Sequence, residues 1–311
     1  MISRFSRLAL IGFFLIGTVT AHAKLNVVTT LPDLQWLVGS IAGPHADVES
    51  LLSGTENPHY ADAVPRYIQK VANADIVCLV GLDLELGWLP KVLTRSGNAK
   101  VQPGSKGYCN TGSAISVLQK PTSRIDRSMG DVHPFGNPHY TLSPTRMIEA
   151  AKFITQILIT NDSAHQKDFE GNLLTVTKTL RSLHETIRSK FDLALKNNPR
   201  PFMEYHQDFV YYFDDFKIYS IGSLEEKPGI PPSAGTIAQK SQLAKSEKVQ
   251  LLLAPEGAPH RTLEKFSEIS GVPIVTVNTF LRPSWGKNDY RELHHDIANA
   301  IIARLQTGTP R

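Results

Sequence analysis

The chain has 311 residues, 41% hydrophobic and 20% charged, with Gly 21, Pro 20 and Cys 2. These proportions exclude a disordered chain, a collagen-like repeat and a disulfide-dense miniprotein, and the length admits one large domain or two of about 120–150 residues. The formal net charge is +4, but Arg4 and Arg7 lie in a removable leader, which leaves 31 basic against 29 acidic residues. No basic stretch carries interleaved aromatics, so no nucleic-acid partner is expected.

Residues 1–23 read as a secretory signal peptide. Arg4 and Arg7 supply a positive start, residues 8–19 an apolar run, and Ala21-His22-Ala23 the small residues of a cleavage site. The run is short of the roughly 20 residues a membrane span needs. Cleavage after Ala23 yields a mature chain from Lys24, soluble and exported, most simply to a periplasm. No Cys lies near the cleavage site, so no lipid anchor is expected there.

The mature chain opens with predicted strands at 25–29, 48–52 and 76–80, and with helical patterns at 34–41 and up to 72. Strands alternating with helices imply parallel βαβ units in a doubly wound sheet. Cys78 falls in the third strand and Cys109 at the edge of a loop. An exported compartment permits a disulfide between them, and two free thiols are the alternative; Cβ geometry decides. Residues 103–138 are rich in Gly, Pro and Ser and read as loops around one or two short strands.

Ser143-Pro144 starts a helix that runs to about residue 159, with Ser as N-cap and Pro in the first turn. Asn161-Asp162-Ser163 offers a second cap. Phe169, Leu173, Val176, Leu180, Leu183, Ile187, Phe191 and Leu195 then form one apolar stripe. About 35 residues of helix span roughly 50 Å, more than one small lobe is wide, so this helix joins two lobes. After Pro199-Arg200-Pro201 the α/β rhythm resumes, with strands at 202–205, 217–221, 249–253 and 274–277 and a closing helix at 293–305. The predicted organisation is a leader at 1–23, a first α/β lobe at 24–160, a linking helix at 161–198 and a second α/β lobe at 199–311.

Asn57-Pro58-His59-Tyr60 recurs as Asn137-Pro138-His139-Tyr140. Both histidines lie in loops at the ends of elements, where open α/β sheets place ligands. Each follows a proline that restricts the backbone beside it. A third, His206 in Tyr205-His206-Gln207-Asp208, directly follows a predicted strand of the second lobe. Neutral imidazole suits zinc and other late first-row metals, and three from separate loops make a partial tetrahedron.

With these motifs, together with Ala74-Asp75-Ile76-Val77 before Gly81-Leu82-Asp83-Leu84-Glu85 and Phe209 before Tyr212-Phe213, the sequence resembles the metal-binding receptors of ABC-type zinc and manganese uptake systems. Their two lobes are joined by one rigid helix. The resemblance covers nearly all of the mature chain. It implies two doubly wound α/β lobes with a metal site in the cleft between them, and ligands His59, His139 and His206. Three histidines resemble the zinc-type members, because manganese-type members usually place a carboxylate where His206 stands. The implied cargo is Zn(II), with manganese or another divalent metal as the alternative, handed to a permease in the inner membrane, and a monomer is expected.

The sequence departs from the family pattern twice. Many members supply a fourth, carboxylate ligand after the strand matching 274–277, but here Asn278-Thr279-Phe280-Leu281 holds no acid. Water, Asn278 or a carboxylate from elsewhere, such as Glu256, could take that place; the plain reading of Glu256 is an acid near a helix N-terminus. The residues 119–131, where zinc receptors often carry a His-rich loop, contain no His, and His133 stands nearby on the entrance loop. Glu204 and Asp208 flank His206 and could orient its ring. His294-His295, on one helix, read as surface residues, and Glu225-Glu226-Lys227 as a solvated turn. Two other functions compete. A zinc hydrolase would need a general base, and no His-Glu-x-x-His helix is present. A receptor for an organic ligand or a metal chelate could stack it on Trp36, Trp88 or Trp285, although each reads equally as packing.

Overall fold

The computed structural model describes residues 23–122, 133–196, 199–225, 227 and 229–307. The leader up to residue 22, most of the segment 119–131, and Glu226 lie outside the described residues.

Two four-stranded parallel sheets share one strand order. The first runs β2-β1-β3-β4, from β1 Leu25–Thr29, β2 Ala46–Ser50, β3 Ile76–Leu79 and β4 Tyr108–Asn110. The second runs β6-β5-β7-β8, from β5 Phe202–Glu204, β6 Ser220–Ser223, β7 Leu252–Pro255 and β8 Ile274–Val277. Central strands such as β3 are buried at every residue, as strands of a parallel sheet covered on both faces must be. Helices α1 Pro32–Ala42, α2 Pro65–Ala72 and α3 Leu89–Ser96 accompany the first sheet in sequence. Helices α6 Val210–Phe216, α7 Ala234–Ser246 and α8 His260–Ser270 accompany the second.

Between the sheets come α4 Pro144–Asn161 and α5 Gln166–Leu195. Ser143 caps α4, its Oγ accepting from the Arg146 N–H at 3.1 Å. The long helix starts later than the sequence predicts. Asn161 still belongs to α4, and Asp162 takes the His165 Nδ1 at 2.6 Å across a short 3-10 turn, so α5 has 30 residues, about 45 Å. Its apolar stripe buries Phe169, Val176, Leu180, Leu183, Ile187 and Phe191. At roughly 1.5–3 kcal/mol per buried side chain, this packing and not intrinsic propensity holds the helix. Helix α9 Tyr290–Thr307 lies against α5, and its Tyr290 stacks on Trp36 of α1 with ring centroids 5.0 Å apart. Among the described residues, no helix is long and apolar enough to cross a membrane.

One open alternative is decided here and one expectation is corrected. Cys78 and Cys109 face each other in register on β3 and β4, yet both are buried free thiols. Neighbouring strands stand 4.7–4.9 Å apart with parallel Cβ directions, wider than the roughly 3.5–4.5 Å a disulfide wants between Cβ atoms. His294 is not a surface residue: it is fully buried, with its ring 4.5 Å from Tyr290 and stacked at 5.7 Å on Tyr212.

Candidate metal centre

The loop after β2 carries His59. Its backbone N–H donates to Asn57 Oδ1 at 3.0 Å, an Asx turn that fixes the chain at the histidine. Trp88, buried just before α3, donates its indole N–H to Pro58 O at 2.8 Å and pins the same loop. The second Asn-Pro-His repeats the device and extends it. Asn137 Oδ1 accepts both the backbone N–H of His139, at 2.9 Å, and its ring Nδ1, at 3.0 Å. The Asn137 amide donates to Gln207 O at 2.8 Å and to Gln119 Oε1 at 3.1 Å, so its orientation is set by the network. His139 therefore carries its proton on Nδ1 and leaves the Nε2 lone pair open.

His206 follows β5. Its Nδ1 donates to Glu225 Oε2 at 2.8 Å, and the Gly229 N–H donates to the same oxygen at 2.9 Å. This again leaves Nε2 as the free ring nitrogen. The three imidazoles offer ligand atoms that all lie within 4.8 Å of one another. His59 Nε2 and His139 Nε2 stand 3.1 Å apart. Zn–N bonds of about 2.0–2.1 Å set tetrahedral ligand atoms roughly 3.3 Å apart, so the cluster has the right size for one ion. It faces a cavity of about 280 Å³ lined from both halves of the chain, by His59 and Tyr60 on one side and Tyr205, Glu225 and Arg282 on the other.

The electrostatics divide the three histidines. Burial, with the charges of His133 and His206, pushes His59 down to about 3. Burial, with the charges of His59, His206 and His133, holds His139 well below the ordinary range. Burial also opposes a charge on His206, but Asp208, Glu225 and Glu204 outweigh it and raise this imidazole to about 9. Two rings are thus ready as neutral ligands, and the third exchanges a proton for a cation.

Four other residues differ from what the sequence suggests. Glu225, read as part of a solvated turn, is 6% exposed and is the acceptor that orients His206. Glu204 instead accepts the Phe209 N–H at 2.9 Å, and burial lifts its carboxyl to about 8. Glu256 lines the cavity but is claimed by Arg282, whose Nη1 donates to Glu256 Oε2 at 2.6 Å, and it is not part of the ligand cluster. Asn278 lines a different cavity, beside Lys287 and Asp296. His133 is half-buried with its ring 5.2 Å from that of His59. Asp208 reaches toward His139, its Oδ1 3.6 Å from His139 Nε2. Glu225 carries no local sequence signal; only the pairing of β6 beside β5 brings it to His206.

A family model described as zinc-uptake complex component A, periplasmic (ZnuA), matches residues 27–303. The chain belongs to the ZnuA family. Among curated relatives, an iron ABC transporter substrate-binding lipoprotein, MtsA of Streptococcus pyogenes serotype M1, is 26% identical over 84% of this chain and 81% of its own length. The zinc-binding lipoprotein AdcA of Streptococcus pneumoniae is 25% identical over 83% of this chain but only 50% of its own length. A crystal structure of ZnuA superposes with TM-score 0.71 at 21% identity, covering 89% of this chain and 98% of that one. FpvC of P. aeruginosa, in complex with Ni2+, superposes with TM-score 0.73 at 20% identity, covering 93% and 99%. ZnuA-family chains are metal-binding components of ABC uptake systems, and this chain is one of them.

Proposed function

We propose that this protein captures Zn(II) in the periplasm on His59, His139 and His206 and delivers it to an ABC permease of the inner membrane. The convergence of three imidazoles within 4.8 Å carries the reading. The hydrogen bonds to Asn137 and Glu225 support it, because they commit two of the rings to the tautomer a metal needs. Nitrogen donors suit zinc better than manganese. Manganese or another divalent metal, iron(II) included, is the second reading, since the buried Asp208 lies beside the imidazoles and oxygen suits a harder ion. Capture, not hydrolysis, fits a family whose members bind and pass on metals. The division into a lobe, a linking helix and a second lobe is kept, with the linking helix taken as α5, Gln166–Leu195, in place of 161–198.

Competitive titration against a chromophoric chelator tests the ligand set. His59→Ala, His139→Ala and His206→Ala each weaken zinc binding by at least about 100-fold, above the loss typical of an outer partner, with the fold retained. Unchanged affinity in all three contradicts the assignment.

A further inference from the structure

The loop after β5 holds a buried carboxylate, Asp208, that faces the His206 ring but whose hydrogen-bonding capacity is not filled. Asp208 is 8% exposed. Its Oδ2 is buried with no hydrogen-bond partner, its Oδ1 stands 3.6 Å from His139 Nε2, beyond hydrogen-bond reach, and the charge it faces is that of His206. None of the ion pairs among the described residues gives it a lysine or an arginine; the nearby Arg282 is spent on Glu256. A buried carboxylate left so is costly unless a cation joins it.

The geometry beside Asp208 suits a metal ion. Two ligand–ligand edges, His59 Nε2–His139 Nε2 at 3.1 Å and His139 Nε2–Asp208 Oδ1 at 3.6 Å, are close to the roughly 3.3 Å of a zinc tetrahedron; Asp208 stands just outside the 4.8 Å cluster of the three imidazoles, so coordination requires its side chain to move inward on loading. Of the other side chains considered, Glu256 is held by Arg282 and Asn278 faces a different cavity, which leaves water as the alternative to Asp208. We propose that Asp208 is the fourth ligand, closing the site as three imidazoles and one carboxylate. This rests on the receptor reading above. It makes one turn of chain, His206 to Asp208, supply two ligands from the second half, and it lowers the charge of the loaded site by one.

Asp208→Asn keeps the size of the side chain and removes the charge. Zinc affinity falls by at least about 100-fold, with one site per chain. A carboxylate serving only as counter-charge to His206 gives the opposite sign: its removal leaves affinity unchanged or raises it, because a proton competes less. Asp208→Cys, loaded with Co(II), adds a direct readout. A thiolate-to-cobalt charge-transfer band absent from the Co(II) form of the native protein supports coordination from position 208. Native protein that takes one metal while the Asn variant binds as tightly, or while the Cys variant shows no band, overturns the inference and leaves the receptor reading standing. Native protein that takes no metal overturns both.

Discussion

The two Asn-Pro-His motifs work through their asparagines as much as their histidines. Asn57 and Asn137 each accept the backbone N–H two residues on, and Asn137 also accepts from the His139 ring. Glu225 does the corresponding work for His206. Glu225→Gln keeps an acceptor but not its charge, so zinc affinity should drop by about 10–100-fold in competitive titration, less than for a lost ligand. His294 makes a second prediction. It is fully buried, neither ring nitrogen has a hydrogen-bond partner, and burial, followed by the charge of His295, pushes it from 6.5 to about 3. Its folded pKa is depressed, so the unfolded chain binds a proton between about pH 6.5 and 3 that the folded chain refuses. Stability is therefore lost as pH falls through that window. His294→Leu should flatten the acid side of the stability curve in urea melts taken from pH 7 to 4. An identical pH slope in variant and parent contradicts this.

At the scale of elements, the helices are legible where their signals are local. Ser143-Pro144 starts α4, and the stripe from Phe169 to Phe191 lies buried along α5. The strand bounds are less so: β2 begins at Ala46 and not 48, and β7 spans Leu252–Pro255 where apolarity alone suggests 249–253. Val249 and Leu251 are buried, but outside the named strand, so hydrophobicity marks burial and not ladder pairing. Glu225 escapes sequence reasoning because its neighbour in space, His206, belongs to an adjacent strand's loop, and charge runs usually signal solvent. The helix α5 also carries a correctable weakness. Gly171 sits in its interior with nothing within 4 Å of where a Cβ would lie. Gly171→Ala should stabilise the protein by about 0.5–1 kcal/mol in denaturant melts without touching zinc affinity. A loss of stability would contradict the open space beside the helix.

Across the whole molecule, the two α/β halves are legible from alternating periodicity, but the clasp between them is not. Leu281 N–H donates to Asp33 Oδ2 at 3.2 Å, Arg282 Nε donates to Gly54 O at 3.2 Å, and Tyr290 OH donates to Thr141 O at 2.6 Å. Gly54 has φ +87°, and a Cβ there would lie 1.9 Å from Leu281 O, so close approach of the halves needs glycine. One apolar cluster contains residues of both sheets, from Val27 to Leu253 and Val275. Pairings between residues 228 to 248 positions apart leave no periodic trace in the sequence. Halves joined this way form a fixed frame in which loops from both sides present their ligands, which suits tight capture of one small ion better than a wide hinge around a large solute. The most direct test is a metal titration of the purified mature protein, stripped with chelator and offered Zn(II) and Mn(II) in competition. The account predicts one zinc per chain, held at nanomolar affinity or tighter and scarcely displaced by manganese. A stripped protein that takes up no zinc, or that holds manganese in preference, would contradict it.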